Sequence, residues 1–207
     1  MNRLAHNKYA VTAFSLLIAL SVAEGGLADV VLPDPPQIEI GPEEEAATPS
    51  SRLEGWFAEL ADPDYAGWAR AQADIAREWS KSGSAAMDLL LMRGEAALDE
   101  GDLVGAIEDL TALTDHAPEF AAGWTARGTA YYMAGQHGPA MADFEQALAL
   151  EPREFAALSY VGQIFADMGA EAAAMAAYRA SLAINPHQED VSDELARLAK
   201  SQEGTAL

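Results

Sequence analysis

Four histidines are the side chains best suited to bind a metal ion or carry a proton, and they are widely separated. They are His6, His116, His137 and His187. Metal-binding histidines on one helix usually stand about three to five residues apart, and no two of these do. Three of them stand beside residues typical of turns, such as proline, glycine and aspartate. The spacing predicts solvated turn histidines, with no metal site and no cofactor.

The serines and carboxylates are the next candidates for catalysis, and their pattern indicates helix caps and a solvated surface. Ser82 and Ser84 flank Gly83 without the glycine–x–serine–x–glycine pattern that presents a nucleophile. Ser84 instead precedes an apolar run and suits the cap of the next helix. The sequence contains no constellation of catalytic residues, so binding is favoured over catalysis. An envelope enzyme, or an accessory to one, is the alternative from another class.

Composition limits the choice of partner. The chain has 207 residues, 12 of them basic and 33 acidic, and a formal net charge of −21. Nucleic acid and anionic lipid repel such a surface, so neither is expected as a partner. Half of the residues are hydrophobic, which is enough for the packed core of one domain. Because the sequence has no cysteine, disulfide bonds and thiolate chemistry are excluded.

Residues 1–28 have the pattern of a secretory signal peptide. Arg3 and Lys8 precede an apolar run of 14 residues, Ala10–Ala23, and small residues at Gly26 and Ala28 predict cleavage after Ala28. The run is shorter than the roughly 20 residues of a membrane span, and no later segment approaches that length. An uncleaved anchor is the alternative. We therefore expect a periplasmic or secreted protein with no stable membrane span after cleavage.

Residues 29–50 are predicted to form an acidic linker rich in proline. Five of these 22 residues are proline, and three consecutive glutamates add negative charge. Proline lacks a backbone donor and like charges repel each other, which favours an extended chain. The segment could serve as a spacer or as a peptide motif for a partner.

Residues 51–86 are predicted to form a helical hairpin rich in tryptophan. Its first helix would begin with a capping box at Ser51 and Glu54, and its second at Asp62-Pro63. A stripe on the second helix is expected to pack on the next element of the chain: Trp68, Gln72, Ile75 and Trp79. The hairpin is interpreted as a capping pair. In the alternative, its aromatic surface supports self-association through Trp56, Phe57, Trp68 and Trp79.

The remaining sequence contains three units of 34 residues. Four columns recur at that interval: Pro118, Pro152 and Pro186; Gly94, Gly128 and Gly162; Gly101, Gly135 and Gly169; Ala106, Ala140 and Ala174. Each unit splits into two amphipathic stretches, which predicts a helical hairpin. A mid-helix glycine costs about 1 kcal/mol against alanine, so the first glycine column indicates close helix packing, with the small alanines opposite. Single hairpins cannot bury their apolar faces, so the three should stack.

This pattern resembles the tetratricopeptide repeat family. Unit 121–154 matches best, and units 87–120 and 155–188 keep most of the same positions. The resemblance is carried by Gly94, Ala106, Pro118, Trp124, Gly128, Tyr131, Ala140, Phe144, Pro152, Gly162, Ala174, Tyr178 and Pro186. It implies an all-α protein, a short right-handed solenoid of three helical hairpins. Residues 189–207 would supply a C-terminal cap helix and a tail.

The resemblance also implies a binding surface. The first helices of such hairpins line a concave groove, and the matching positions are Asp88, Leu91, Glu95, Leu98, Thr125, Thr129, Tyr132, Met133, Ser159, Gln163 and Asp167. Their apolar and acceptor groups suit a peptide or helix with basic and apolar residues. The basic residues with which some family members clamp acidic chaperone tails are missing. We therefore expect an exported protein–protein interaction module, with its partner unknown and homo-oligomerisation left open.

Overall fold

The computed structural model describes residues 48–205, so the predicted signal peptide and nearly all of the predicted linker lie outside the described residues. Every regular element in this range is an α-helix, which confirms the all-α class. The described helices are α1 (Pro49–Ala61), α2 (Trp68–Trp79), α3 (Ala85–Glu100), α4 (Leu103–His116), α5 (Ala121–Met133), α6 (His137–Leu150), α7 (Phe155–Asp167), α8 (Glu171–Ile184) and α9 (Glu189–Thr205).

Helices α3 to α8 form the three repeat hairpins. A glycine turn joins the two helices of each hairpin, and Gly101, Gly135 and Gly169 have φ angles of 77°, 71° and 73°. Residues with a side chain rarely adopt this left-handed region, which explains the glycine column. The hairpins stack in chain order, since α4 packs on α5 and α6 packs on α7. The structure therefore confirms the predicted stack of helical hairpins.

The mid-helix glycines make room for a large side chain from the second helix of the same hairpin. A Cβ atom built on Gly128 would lie 2.8 Å from Cε1 of Phe144, and one on Gly162 would lie 2.5 Å from Cδ1 of Tyr178. The alanines predicted to face these glycines are fully buried, but the nearest atoms belong to the larger residues. The predicted close approach is present, and the predicted partner is wrong because a ring, not a methyl group, fills the space.

Arg127 pairs with an aspartate of the same repeat and also bonds to the first repeat. Arg127 donates hydrogen bonds of 2.7 and 2.8 Å to the two carboxylate oxygens of Asp143, and a third of 2.7 Å to Oγ1 of Thr114 on α4. The charged side chains are only 13% and 6% exposed. The guanidinium also lies over the ring of Trp124, 4.8 Å from its centroid. Burial and bidentate geometry make this pair a specific link between the two helices of the second repeat, and the bond from Arg127 to Thr114 ties that repeat to the first.

The tryptophan-rich hairpin begins earlier than predicted, and its second helix begins later. Thr48 is the N-cap of α1, since its Oγ1 accepts a hydrogen bond of 3.1 Å from the N–H of Ser51. Ser51 therefore lies inside the helix, and the predicted capping box is wrong. Helix α2 begins at Trp68 rather than at Asp62-Pro63. Residues 62–67 form turns, where the Asp62 carboxylate accepts from a backbone N–H two residues later.

The hairpin packs on the third repeat. Its buried side chains contact Phe155 at the start of α7 and Ile184 at the end of α8. The ring centroids of Trp79 and Phe155 are 6.2 Å apart. The prediction that the aromatic stripe packs on the next element of the chain is therefore wrong. The first repeat keeps three large apolar side chains exposed: Leu89, Met92 and Val104.

Helix α9 covers the second helix of the third repeat. Leu198 is 2% exposed and packs beside Tyr178, and Val191 and Leu195 join the same cluster. Glu194 and Arg197 form an ion pair along the helix. Within residues 48–205, no helix combines the length and the apolar character needed to cross a membrane.

Candidate functional site

Helix α2 lies across the surface that the first helices of the repeats form. We call this surface, built by α3, α5 and α7, the inner face. Two cavities flank α2, and Gln72 and Ala156 line both of them. The N-terminal cavity lies between α2, α3 and α5, and the C-terminal cavity lies between α2, α7 and α9. The inner face is therefore a divided surface rather than one open groove.

Specific contacts hold α2 against the end of the third repeat. Nδ2 of Asn185, a residue only 1% exposed, donates a hydrogen bond of 3.0 Å to Oε1 of Gln72. Nε2 of His187 lies 3.1 Å from the carbonyl oxygen of Asp62. The imidazole also stacks on Trp68, with ring centroids 4.7 Å apart. His187, predicted as a solvated turn residue, is instead a contact between the hairpin and the repeats.

A cation adds a second attachment for the hairpin. Nη1 of Arg153 donates a hydrogen bond of 3.0 Å to Glu54 on α1. The same guanidinium lies 4.0 Å from the ring centroid of Phe57, and Phe57 is 7% exposed. These contacts hold the Phe57 ring within the chain.

The C-terminal cavity is the larger of the two, with a volume of about 690 Å³. Aromatic rings and the carboxylates of α9 dominate its lining, which includes Trp68, Tyr132, Tyr160, Tyr178, Glu189, Asp190 and Glu194. Burial, aided by nearby carboxylates, raises the pKa of Tyr132 and that of Tyr178 to about 12. A hydrogen bond from Arg197 lowers the pKa of Glu194. At neutral pH the cavity therefore has neutral phenols and a negative rim.

The N-terminal cavity has a volume of about 370 Å³ and mostly apolar walls. Its apolar lining includes Ile75, Trp79, Leu91, Leu98, Ala122 and Ala126. Two polar atoms of its lining residues, Nε1 of Trp79 and Oγ1 of Thr125, are buried without a hydrogen-bond partner. Such groups cost roughly 1–3 kcal/mol each when unsatisfied, so they mark a strained part of the fold.

Glu154, the N-cap residue of α7, contributes a buried carboxyl group to the N-terminal cavity. It is 7% exposed. Burial raises its pKa to about 7; a backbone hydrogen bond from Ala156 opposes this and the charge of Glu151 adds to it. Glu95, at the rim of the cavity, also has a raised pKa, because of desolvation and the nearby Asp99. The cavity thus combines a buried carboxyl with a more exposed one.

Eight of the eleven residues predicted for the groove line one of the two cavities. Leu91, Glu95, Leu98, Thr125 and Thr129 line the N-terminal cavity. Tyr132, Ser159 and Gln163 line the C-terminal cavity. Their arrangement on the inner face follows the predicted register, but α2 keeps the two sets apart. Leu91 is only 2% exposed and also belongs to the core of the first repeat.

Three predicted groove residues lie outside both cavities. Asp88 accepts hydrogen bonds from the N–H and hydroxyl of Ser82, which lower its pKa and brace the loop before α3. Met133 is 50% exposed. Asp167 accepts from the Tyr132 hydroxyl at 3.1 Å. Their side chains therefore brace the fold or face solvent.

Sequence reasoning missed the residues that α2 and the loop before α7 bring to the site. The sequence pattern indicates Gln72 and Trp79 only as members of a packing stripe, and nothing in it points to Glu154. A polar Gln72 within an apolar stripe was the available signal, since a core-facing glutamine needs a partner. Within the described part of the chain, no group of three or more metal-ligating side chains comes together.

The stacked hairpins and the inner face define a helical-repeat protein. Residues 121–154 match the tetratricopeptide repeat profile, and this is the unit in which the sequence pattern is clearest. A TPR repeat-containing protein of Rhizobium etli is 30% identical over 162 residues, which cover 77% of this chain and 78% of that protein. The chain belongs to the tetratricopeptide repeat family. It therefore has the fold of a protein–protein interaction module.

Solved structures show the same architecture. The first TPR of Spaghetti (RPAP3) bound to HSP90 peptide SRMEEVD is similar, with a TM-score of 0.55 and 22% identity, covering 58% of this chain and 95% of that one. The Sgt2 TPR domain from Aspergillus fumigatus has a TM-score of 0.55 and 25% identity, covering 59% and 83%. Both cover little more than half of this chain.

Proposed function

We propose that this protein binds a peptide or helix of a partner protein on the inner face, beside α2, and that it does so outside the cytoplasm. The observation that carries the proposal is the C-terminal cavity. Its volume of about 690 Å³, aromatic lining and acidic rim are suited to side chains of another chain. Export is proposed from the signal-like pattern of residues 1–28.

The charge of the cavities favours a partner with basic and apolar residues. Among residues 48–205, no lysine or arginine lines either cavity, while Glu95, Glu154, Glu189, Asp190 and Glu194 are among the lining residues. The peptide in the Spaghetti (RPAP3) complex, SRMEEVD, contains three acidic residues. A segment like it would be repelled here, so we propose the opposite charge preference.

Self-association through the tryptophan-rich hairpin is less favoured. Phe57 is buried, Trp68 stacks on His187, and Trp79 packs against Phe155. These rings already have partners within the chain, so a second copy would meet little free aromatic surface. An enzymatic role lacks support of the same kind, since polar groups of the C-terminal cavity such as Ser159, Gln163 and Tyr178 already form hydrogen bonds within the chain.

Capture of the partner after crosslinking in cells tests the proposal. The whole precursor is expressed, the exported fraction is crosslinked, and the recovered chain is weighed. We expect a chain that begins at Asp29 and a specific partner. Reversing two exposed rim charges, in the double variant Glu189→Lys and Asp190→Lys, should lower partner recovery at least tenfold, about the effect expected for lost charge complementarity.

The matched control reverses two exposed charges on the second helices of the repeats. Glu108→Lys with Glu145→Lys makes the same change in net charge outside both cavities. Its partner recovery should equal that of the wild-type chain. Equal losses in both double variants would show a general charge effect, and no specific partner in any sample would overturn the proposal.

A further inference from the structure

The N-terminal cavity has the size and walls to take one long side chain. Helix α2 closes one side, and the first helices of the first two repeats close the other. Its volume of about 370 Å³ is at the lower end of the roughly 300–1,000 Å³ typical of ligand pockets. The apolar walls from Trp79, Leu98 and Ala122 would pack against an aliphatic stem but leave no room for a folded element.

The carboxyl group of Glu154 lies at this cavity, and no described residue pairs it with a cation. Glu154 is 7% exposed, and its one polar partner is the backbone N–H of Ala156. Buried carboxyl groups are usually paired or fully hydrogen-bonded, because burial of an unpaired charge is costly. Glu95 stands at the more exposed mouth. Charged groups entering past Glu95 would therefore meet one carboxylate at the mouth and a second one inside.

The described residues around Glu154 do not supply the missing cation. Arg127, on α5, is already held by both oxygens of Asp143. Arg153, next to Glu154 in the sequence, points to Glu54 and Glu151 instead. In the part of the chain that the structure describes, no lysine or arginine lines the cavity. The charge of the cavity is therefore complementary to a group that comes from outside the chain.

We propose that the N-terminal cavity receives a lysine side chain of the partner, with its ammonium group at the carboxyl group of Glu154, its methylene stem along Leu98, and Glu95 at the mouth. An ammonium group has three N–H donors, and the carboxyl groups of Glu154 and Glu95 offer acceptors along the cavity. A long apolar stem with a charged tip fits a cavity that is apolar along its walls and acidic inside. The inference rests on the proposed function and names the residue type that the partner must present.

The test uses n-butylammonium chloride as a probe of the lysine side chain and n-butanol as its uncharged counterpart. The whole chain is labelled with ¹⁵N, and the indole N–H resonance of Trp79 is assigned by its loss in Trp79→Phe. We expect n-butylammonium to shift this resonance saturably and n-butanol to shift it much less. Glu154→Gln should weaken n-butylammonium binding at least tenfold, which corresponds to one lost charge-assisted hydrogen bond.

Glu145→Gln is the matched control, because Glu145 is exposed on α6 and the change in net charge is the same. It should leave n-butylammonium binding unchanged. Equal shifts by the two probes, or equal binding to wild type and Glu154→Gln, would overturn the lysine proposal. Such a result leaves the partner-capture experiment unaffected, because the rim charges reversed there belong to the C-terminal cavity.

Discussion

Replacing Asp143 with alanine should destabilise the protein by about 3–5 kcal/mol, because it leaves a buried guanidinium without its counter-ion. Arg127 is 13% exposed and donates two hydrogen bonds to Asp143. Its third bond, to Thr114, cannot neutralise the charge. The free energy of unfolding, measured by urea denaturation followed by circular dichroism, should fall by that amount while the native helical signal is retained in the absence of denaturant.

The first repeat supplies a matched control for this loss. Arg93 and Asp109 stand 34 residues before Arg127 and Asp143 and form the same pair, but Arg93 is 60% exposed. Exposed pairs contribute about 0–1 kcal/mol, so Asp109→Ala should change the free energy of unfolding by no more than that. Equal losses of unfolding free energy in the two variants would contradict the claim that burial makes the Arg127–Asp143 pair contribute more than the exposed Arg93–Asp109 pair.

Replacing Glu154 with glutamine should stabilise the protein at pH 8 by about 3 kcal/mol and have little effect near pH 4. Burial raises the pKa of Glu154 to about 7 from its ordinary value of 4.5. The folded chain therefore keeps this proton to a higher pH than the unfolded chain does. The stability that the protonated group provides is complete below pH 4.5 and is lost as the pH rises through about 7. Glutamine stays neutral throughout, so it avoids that loss.

Urea denaturation at several pH values between 4 and 8 measures this difference. The charge of Glu151 at the end of α6 acts on the same group. Glu95 of α3 is the other charged residue that lines the cavity, and the lining residues of α2 and α5 are uncharged. Glu145→Gln, at an exposed site, should show no such pH-dependent gain. A gain that is the same at pH 4 and pH 8 would contradict a raised pKa at Glu154.

The same variant separates binding from folding. Glu154→Gln should bind n-butylammonium more weakly than the wild-type chain does, while its free energy of unfolding at pH 8 should be higher. A loss of binding could not then be attributed to unfolding. Buried charges that lower stability are common at binding sites, because the partner supplies the counter-charge only when it is bound.

The repeat hairpins could be predicted from sequence because their signals are local. Gly135 needs a left-handed φ of 71°, and Gly128 makes room for Phe144 sixteen residues later in the same hairpin. Both requirements recur every 34 residues, and repetition makes a weak signal specific. The inner-face register followed from the same repeat, which is why most of the predicted groove residues line a cavity.

The place of the tryptophan-rich hairpin could not be predicted in the same way. Its attachment depends on contacts between residues far apart in the chain, such as Gln72 with Asn185 and Asp62 with His187. No periodic pattern encodes such pairs, and each residue looks ordinary in its own segment. The predicted starts of α1 and α2 are wrong for a different reason. The side chains of Thr48 and Asp62 accept hydrogen bonds from backbone N–H groups two or three residues later, and the sequence pattern does not show these local bonds.

The position of the hairpin changes what a partner must do. A peptide cannot run along the whole inner face while α2 lies across it at Gln72 and Ala156. The partner would either insert side chains on both sides of α2 or use one cavity. Acidic residues on both sides favour basic side chains in either case.

Site-specific photo-crosslinking in cells tests most directly whether partners bind the inner face. A photo-reactive residue is introduced in place of Gln163, in the C-terminal cavity, or Thr129, in the N-terminal cavity. The matched positions lie on the second helices of the repeat hairpins, here called the outer helices. They are Glu145 on α6 and Arg179 on α8, both exposed. We expect a partner adduct from Gln163 or Thr129 and none from Glu145 or Arg179. Adducts from the outer helices alone would contradict a binding site on the inner face.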